Sequence, residues 1–463
     1  MHTLHSRYPR LSLIDRSTLK VERSETPAHI AGLCVVKAEP LLDTTGALDL
    51  EMIKRRLERR LVRVPRLRQV VHPTPPLCGP PLWVDDLQFS IDRHILTAQL
   101  APPGDEASLL TTAELLLRPL LDRSHPLWEV WFLTNLDDSQ LGMLFKIHHA
   151  VADGVAAVAL IMSLLDVAPD APDPPAVVWT PAPAPSSRAL FRDNVGSRLV
   201  SIRSRLAHPV QVAHCLGSTL TDSARFLRRW NAAPRTSLNT IHRGEGRIIR
   251  ALPLDLETAR AGAHAHHATI NDVVLSVVSG GVRDLLIARG EPVAGLDLMA
   301  LVPAMLRAEQ TAGQPGNAAG MLLVQLPVGE TDAVRRLTRV GTATRIAKAK
   351  QHPRYLSGLL GIGAAIGVAW PVLTRQRMAN IFVTNVPGPQ VPLYVLGARI
   401  EEVLPIIGPA GNVMLMFAAL SYCGRLTIVL TASAAVFPDL DVLVAGMRRS
   451  WGELMASEAS LQE

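Results

Sequence analysis

The chain is poor in cysteine, in aromatic residues and in charge. Its four cysteines, Cys34, Cys78, Cys215 and Cys423, lie far apart and make no Cys-x-x-Cys pair. That pattern offers neither a disulfide framework nor a zinc ribbon, and it suits a reducing cytoplasm. Aromatic residues are 4% of the chain. The +6 net charge therefore lacks the stacking partners of a nucleic-acid binder, and no nucleic acid is expected as a partner. An anionic small molecule or anionic lipid headgroups would use the same charge. Charged residues make up 19% against 48% hydrophobic, an apolar balance that points to a greasy substrate or a membrane surface. The opening "MHTLHSRYPRLSLIDR" has no continuous apolar core, so no export signal is expected. There is also no GxSxG elbow and no active-site cysteine signature, so a covalent acyl-enzyme has no obvious nucleophile.

A chain of 463 residues exceeds one ordinary hydrophobic core, and two large halves are expected. The clearest break is "VAPDAPDPPAVVWTPAPAPSS", residues 167–187, whose seven prolines forbid regular helix or central strand. The expected division is an N-terminal domain over 1–166, a proline-rich linker and basic helical crossover over 167–240, and a C-terminal domain over 241–463. Leu50, Ile53, Leu57, Leu61 and Val64 recur at helical spacing before a stop at Pro65. The eight basic residues between Lys54 and Arg68 read as the solvated face of that helix. "LWEVWFLTNL" and "LGMLFKI" predict a hairpin across "DDSQ", and "VAAVALIMSLL" predicts a buried helix after it. Later strands are expected at "LDLMALVPAML", "GMLLVQLPV", "NIFVTNVPG" and "RLTIVLTASA", with a closing helix from Asp439 to about Met455. Strands and helices mixed in both halves indicate α/β or α+β layers. The uncharged run from Tyr355 to Thr374 is long enough to cross a bilayer, but its four glycines and Pro371 favour a buried or membrane-surface helix.

The candidate reactive centre is "HHAVADG", residues 148–154, at a strand-to-helix turn between apolar runs. Three readings compete. His149 and Asp153 could share a metal with His264, His266 or His267, but no His-Glu-x-x-His spacing or definite third ligand is present, so no metal is expected. A histidine at a strand end can simply cap carbonyls. An imidazole titrating near neutrality can also take a proton from an alcohol, while Gly154 lets backbone approach a substrate. Direct transfer is then the simpler scheme.

His148, His149, Asp153 and Gly154 resemble the HHxxxDG motif of the acyl-CoA-dependent acyltransferase superfamily. "SHPLWEVWF" resembles its PLW motif, "TINDVVL" its ND motif and "TNVPGP" its NVPGP motif. Together they resemble the bacterial wax ester synthase/diacylglycerol acyltransferase family, along nearly the whole chain. The resemblance implies two chloramphenicol-acetyltransferase-like domains with mixed sheets flanked by helices, joined by a crossover, and an active site between them. It implies acyl-CoA as co-substrate with no further cofactor, and diacylglycerol or a long-chain alcohol as acceptor. The enzyme would be cytoplasmic, at a membrane surface or lipid inclusion. His149 would be the general base, with Asp153 as structural support and Arg307 its candidate partner. Asn271 would donate to the oxyanion or, with Asp272, support the site; the N-cap of the helix that starts here is Asn271 or Thr269, and that capping role is the alternative for Asn271. Pro126, Leu127 and Trp128 would shape the site floor, and Asn385, Pro387 and Gly388 a turn lining the tunnel. Ala304, Met305 and Ser433 depart from the family pattern and bear on substrate preference. The rival functions are a condensation-type enzyme fed by a carrier protein and a non-catalytic lipid-binding protein.

Overall fold

The computed structural model describes residues 8–136, 139–152, 154–207, 233–240, 246–305, 319–350 and 374–462. The first half runs α1 (Leu13–Val21), β1 (His29–Lys37), α2 (Leu50–Arg60), β2 (Gln69–His72), β3 (Leu82–Asp85) and β4 (Ile95–Gln99). It continues through α3 (Glu106–Leu116), β5 (Trp128–Thr134), β6 (Gln140–His148) and α4 (Gly154–Leu164). The long helix α5 (Ser187–Ala207) follows the proline-rich stretch. The second half holds β7 (Arg247–Asp255), α6 (Leu256–Ala265), α7 (Ile270–Ala288), β8 (Leu298–Met305), β9 (Ala319–Leu326) and α8 (Ala333–Lys350). It ends with β10 (Ile381–Pro387), β11 (Tyr394–Val395), β12 (Ala398–Ile407), β13 (Leu415–Tyr422), β14 (Arg425–Ser433) and α9 (Leu440–Gln462).

Two mixed six-stranded sheets organise these elements, in the orders β11-β12-β1-β6-β5-β4 and β7-β14-β13-β10-β8-β9. The fold is the α/β arrangement of mixed sheets flanked by helices that the sequence implies. β13 and β14 read as near-continuous apolar runs because they are buried along almost their whole length. Helices α7 and α9 pack with this sheet in one core built on Val274, Val278, Leu337, Phe417, Ile428 and Met447. A second core, between the sheets, joins Ala31, Leu33 and Leu144 of the first to Ile249, Ala251 and Val429 of the other.

The sheets also exchange chain. After β10 the backbone leaves the second sheet, adds β11 and β12 to the first, and returns as β13. Residues 394–407 therefore belong to the first sheet although they lie in the second half. Pro405, opposite Gly32 of β1, is tolerated in β12 because the two-residue β11 covers only the Ala398–Arg399 end of its outer edge. Tyr422 fixes the exchange from within: its buried hydroxyl accepts from the Leu393 N–H at 2.8 Å and donates to the Ile400 carbonyl at 3.0 Å.

Two local expectations need correction. The helix over 154–164 is not fully buried: Ala157 and Leu164 face inward, while Ala156 and Ala159 are exposed. Its uniform apolarity gives no single face a preference for burial. The basic run of α2 is not wholly solvated either. Its apolar stripe Ile53, Leu57 and Leu61 is buried as expected, but so is Arg60, at 0% exposure. Arg60 meets Asp166 at 2.6 Å and Asp173 at 3.0 Å and donates to the Leu164 carbonyl. Arg56 joins Asp173 at 2.7 Å. The basic helix thus holds the start of the proline-rich stretch, which runs on without regular structure through Ser186. Among the described residues no helix is long and apolar enough to cross a membrane; the run 355–374 lies, but for Thr374, outside them.

Removing one member of a buried ion pair strands the others in a poor solvent for charge. Arg60→Met, which keeps the volume but not the charge, should lower unfolding stability by about 3 kcal/mol, read as a shifted denaturant midpoint. An unshifted midpoint would show that Asp166 and Asp173 do not depend on Arg60.

Candidate active site

The position of the paired histidines follows from strand order. β6 runs between β1 and β5, its register setting His148 opposite His29 of β1 and Ile147 opposite Trp128 of β5. The motif emerges where β6 ends, beside the starts of both neighbours. The His148 N–H donates to the Leu127 carbonyl at 3.0 Å, and the His149 N–H to the Ala28 carbonyl at 2.8 Å. Both histidines are therefore fixed by their backbones on either side of one strand end. Gly154, three residues beyond the Val151 N–H that bonds back to the His148 carbonyl, opens α4.

The two rings differ. His148 is buried at 1% exposure, and its Nδ1 accepts the Ala150 N–H at 2.9 Å. A neutral ring with Nδ1 accepting carries its proton on Nε2, and that atom lies 3.3 Å from Glu22 Oε1. His149 is half-buried, with its Nδ1 inaccessible.

Glu22, just past α1, is the residue that sequence reasoning missed. Its side chain is 1% exposed. Oε1 accepts the Ala28 N–H at 3.0 Å and Oε2 accepts from Arg123 at 2.8 Å, while His29 Nε2 stands at 3.6 Å. Burial on its own would raise this carboxyl, but His148, Arg123 and the Ala28 N–H outweigh it and hold it down at about 2. His29 is pushed down to about 3, first by burial and then by the positive charge of Lys146. His29 therefore stays neutral. Nothing in "KVERSETP" separates Glu22 from Glu25; only the return of the chain through Ala28 does.

The PLW segment lies against this centre. Pro126, Leu127 and Trp128 are buried, and the Leu127 carbonyl is the acceptor for His148. The Trp128 indole donates to the Leu67 carbonyl at 2.7 Å and stacks on His94 at 4.4 Å between centroids. His94 Nδ1 in turn donates to the Trp128 carbonyl at 2.8 Å. The NVPGP segment sits at the exchange between sheets: Asn385 pairs with Ala419 of β13, Pro387 is exposed, and the Gly388 N–H donates to the Ser421 hydroxyl at 3.2 Å. A Cβ at Gly388 would lie 2.2 Å from the Ser421 carbonyl oxygen, so only glycine fits this turn.

The ND segment behaves differently. Thr269, not Asn271, caps α7, and Asp272 completes a capping box by accepting from the Thr269 N–H and hydroxyl at 3.0 and 2.7 Å. Asp272 thus caps α7 through Oδ2. Asn271 is half-buried in the first turn, and among the described residues no hydrogen bond joins it to His148. Asp153 and Arg307 lie outside the described residues. His264, His266 and His267 sit at the α6–α7 junction, and among the described residues no three His, Cys, Asp or Glu side chains are arranged to hold a metal.

Two mixed sheets that exchange a strand pair, with adjacent histidines at the end of a central strand, define an acyltransferase of the HHxxxDG type. Residues 11–274 match the wax ester synthase/diacylglycerol acyltransferase catalytic domain and residues 315–455 the C-terminal domain of the same family. The chain belongs to the wax ester synthase/diacylglycerol acyltransferase family. It is 30% identical over 460 residues to a protein of Mycobacterium tuberculosis named as a probable diacylglycerol O-acyltransferase, covering 96% of each chain. Its fold is similar to that of the wax ester synthase/diacylglycerol acyltransferase from Marinobacter aquaeolei VT8, with a TM-score of 0.68 and 24% identity over 97% of this chain and all of that one. It is also similar to the first condensation domain of the calcium-dependent antibiotic synthetase, with a TM-score of 0.59 and 16% identity over 96% and 94% of the two chains.

Glu22 and His29 both bind fewer protons in the folded chain than in the unfolded one. As pH falls from 6.5 toward 3, the unfolded His29 protonates and the folded one resists; from 4.5 toward 2 the same holds for Glu22. Stability is therefore greatest near neutrality and is lost toward acid. Calorimetry should show Glu22→Gln melting below the parent at pH 7 and losing stability less steeply between pH 4.5 and 3. Equal slopes would mean that the carboxylate is not ionised in this setting.

Proposed function

We propose that this chain transfers a fatty acyl group from acyl-CoA to the hydroxyl of diacylglycerol or a long-chain alcohol. The observation that carries the reading is the anchoring of His148 and His149 at the end of β6. His148 is locked below the turn by Leu127, Ala150 and Glu22, and His149 beside it remains half-buried. With Nδ1 inaccessible, His149 Nε2 is the nitrogen that takes the proton. As the acceptor hydroxyl loses its proton to this nitrogen, its oxygen attacks the thioester carbonyl carbon. The tetrahedral intermediate then expels CoA as the C–S bond breaks, and the proton passes from His149 to the leaving sulfur. No acyl-enzyme forms. General-base help of this kind is worth about 10²- to 10⁴-fold in rate.

In this reading Asp153 is the motif's supporting residue and Arg307 its candidate partner, and the Asn271 amide donates to the oxyanion. Pro126, Leu127 and Trp128 hold the floor beneath the histidines, and Asn385, Pro387 and Gly388 line the passage where the sheets exchange chain. No cofactor beyond the acyl-CoA co-substrate is needed. Full-length relatives named as diacylglycerol O-acyltransferases favour diacylglycerol over a fatty alcohol. An acceptor of that apolarity is dissolved in lipid, so the enzyme works from the cytoplasmic side at a membrane surface or lipid inclusion.

Purified protein given palmitoyl-CoA and dioleoylglycerol should release CoA and form triacylglycerol, with less ester from hexadecanol. His149→Ala should lower ester formation by about 10²- to 10⁴-fold without lowering the melting temperature. No ester from either acceptor, or full activity in His149→Ala, would contradict this reading.

A further inference from the structure

The start of helix α5 is anchored to the first half. Leu190 is buried against Tyr8, Cys78, Leu82, Val84 and Ala182. Asp193 pairs with Arg10 at 2.9 Å, and the Asn194 amide donates to the Leu77 carbonyl. From Val195 to Ala207 every residue whose side chain is described is exposed. That outer length is not polar. Phe191, Val195, Leu199, Ile202 and Leu206, with exposures of 45, 36, 61, 53 and 76%, follow one another at intervals of four, four, three and four. At 3.6 residues per turn they form one stripe about 80° wide along the helix. Arg192 and Arg203 border it on one side and Arg198 on the other, while Gly196, Ser197, Ser201 and Ser204 share the remaining surface with an apolar residue, Val200, which is 69% exposed. Arg188, Arg192, Arg198 and Arg203 are all exposed, and the single acidic residue of the helix, Asp193, is already on Arg10.

Beside this stripe a groove of about 600 Å³ opens between α1 and α5. Arg16 and Lys20 enter it from α1 and Arg198 from α5, with Leu19, Leu77 and Pro76 among its apolar walls and no acidic side chain in its lining. Leu77 is itself 69% exposed. Arg198 thus belongs to both features, and together they make one face that is apolar along a narrow line and cationic on its margins.

We infer that this face docks the enzyme on an anionic lipid bilayer, the α5 stripe lying among the acyl chains and the groove cations meeting phosphate headgroups. An apolar stripe bordered by arginines is the pattern of a helix lying in the membrane interface. The arginines add attraction that depends on anionic lipid and weakens with salt. A second copy of the chain is the poorer occupant, because pairing two such stripes would bring their arginine borders together. The inference rests on the proposed function only in that the acceptor of that reaction is itself a lipid.

Flotation with vesicles of phosphatidylcholine containing about 30% phosphatidylglycerol tests it directly. The parent protein should float with these vesicles, bind pure phosphatidylcholine at least tenfold more weakly, and release as salt is raised. The pairs Leu199→Ser/Ile202→Ser and Arg198→Gln/Arg203→Gln should each weaken binding by about tenfold or more. Both pairs should keep the parent's turnover of palmitoyl-CoA with a water-soluble short-chain alcohol and lose it on dioleoylglycerol carried in the vesicles. Flotation is read without turnover, so a chain that makes no ester but binds through α5 contradicts the proposed function alone. Unchanged flotation in both pairs would overturn the inference. So would equal binding to neutral vesicles, or a dimer that Leu199→Ser/Ile202→Ser splits while vesicle binding persists.

Discussion

A carboxylate with 1% of its surface in water must find its compensation inside the protein, and Glu22 finds it in His148, Arg123 and the Ala28 N–H. That one requirement ties α1, the start of β1, the end of β6 and the turn before β5 to a single point. The Ala150 N–H, donating to Nδ1 of His148, sets the ring's tautomer and turns the Nε2 proton toward Oε1 of the carboxylate. The neighbouring His149 then inherits a backbone that cannot shift without disturbing a buried charge. On the proposed mechanism the ring of His149 is positioned by a backbone that this buried cluster holds, which is how a preorganised site is usually supported.

The exchange of strands between sheets does the same at larger scale. β12 lies beside β1, which lies beside β6, so a segment from the second half flanks the strand pair that leads to the histidines. The turn that launches it is the NVPGP segment, and the hydroxyl of Tyr422 bonds to Leu393 and Ile400 on either side of the β11–β12 turn. The buried contact between Leu33 and Leu144 on one sheet and Ile249 and Val429 on the other makes movement of one half against the other costly in apolar area.

The parts of this account legible in the sequence are those whose chemistry is local. Adjacent histidines followed by Asp153 and Gly154 announce themselves, as does Trp128 in a run of alternating apolar residues, and β8, β9, β10 and β14 are readable from their apolar runs. Asp272 three residues after Thr269 has the spacing of a capping box, a signal that favours helix-end duty over a part in the chemistry. What could not be read depends on partners distant along the chain. β12, "ARIEEVLPII", carries two glutamates and a proline and has no mark of the sheet it joins. Arg60 looks like its exposed neighbours until Asp166 and Asp173 come back over it. Glu22 becomes a buried charge only when Arg123 and His148 close on it.

The central claim is that the imidazole of His149 takes the proton from the acceptor alcohol with no covalent intermediate. The most direct test is the pH dependence of kcat/KM for ester formation, compared between the parent and the residual activity of His149→Gln. The account predicts an acid limb in the parent, falling as the base protonates in the range of an imidazole, and no such limb in His149→Gln. An acid limb of the same midpoint in the variant would assign the proton to another group and contradict the mechanism.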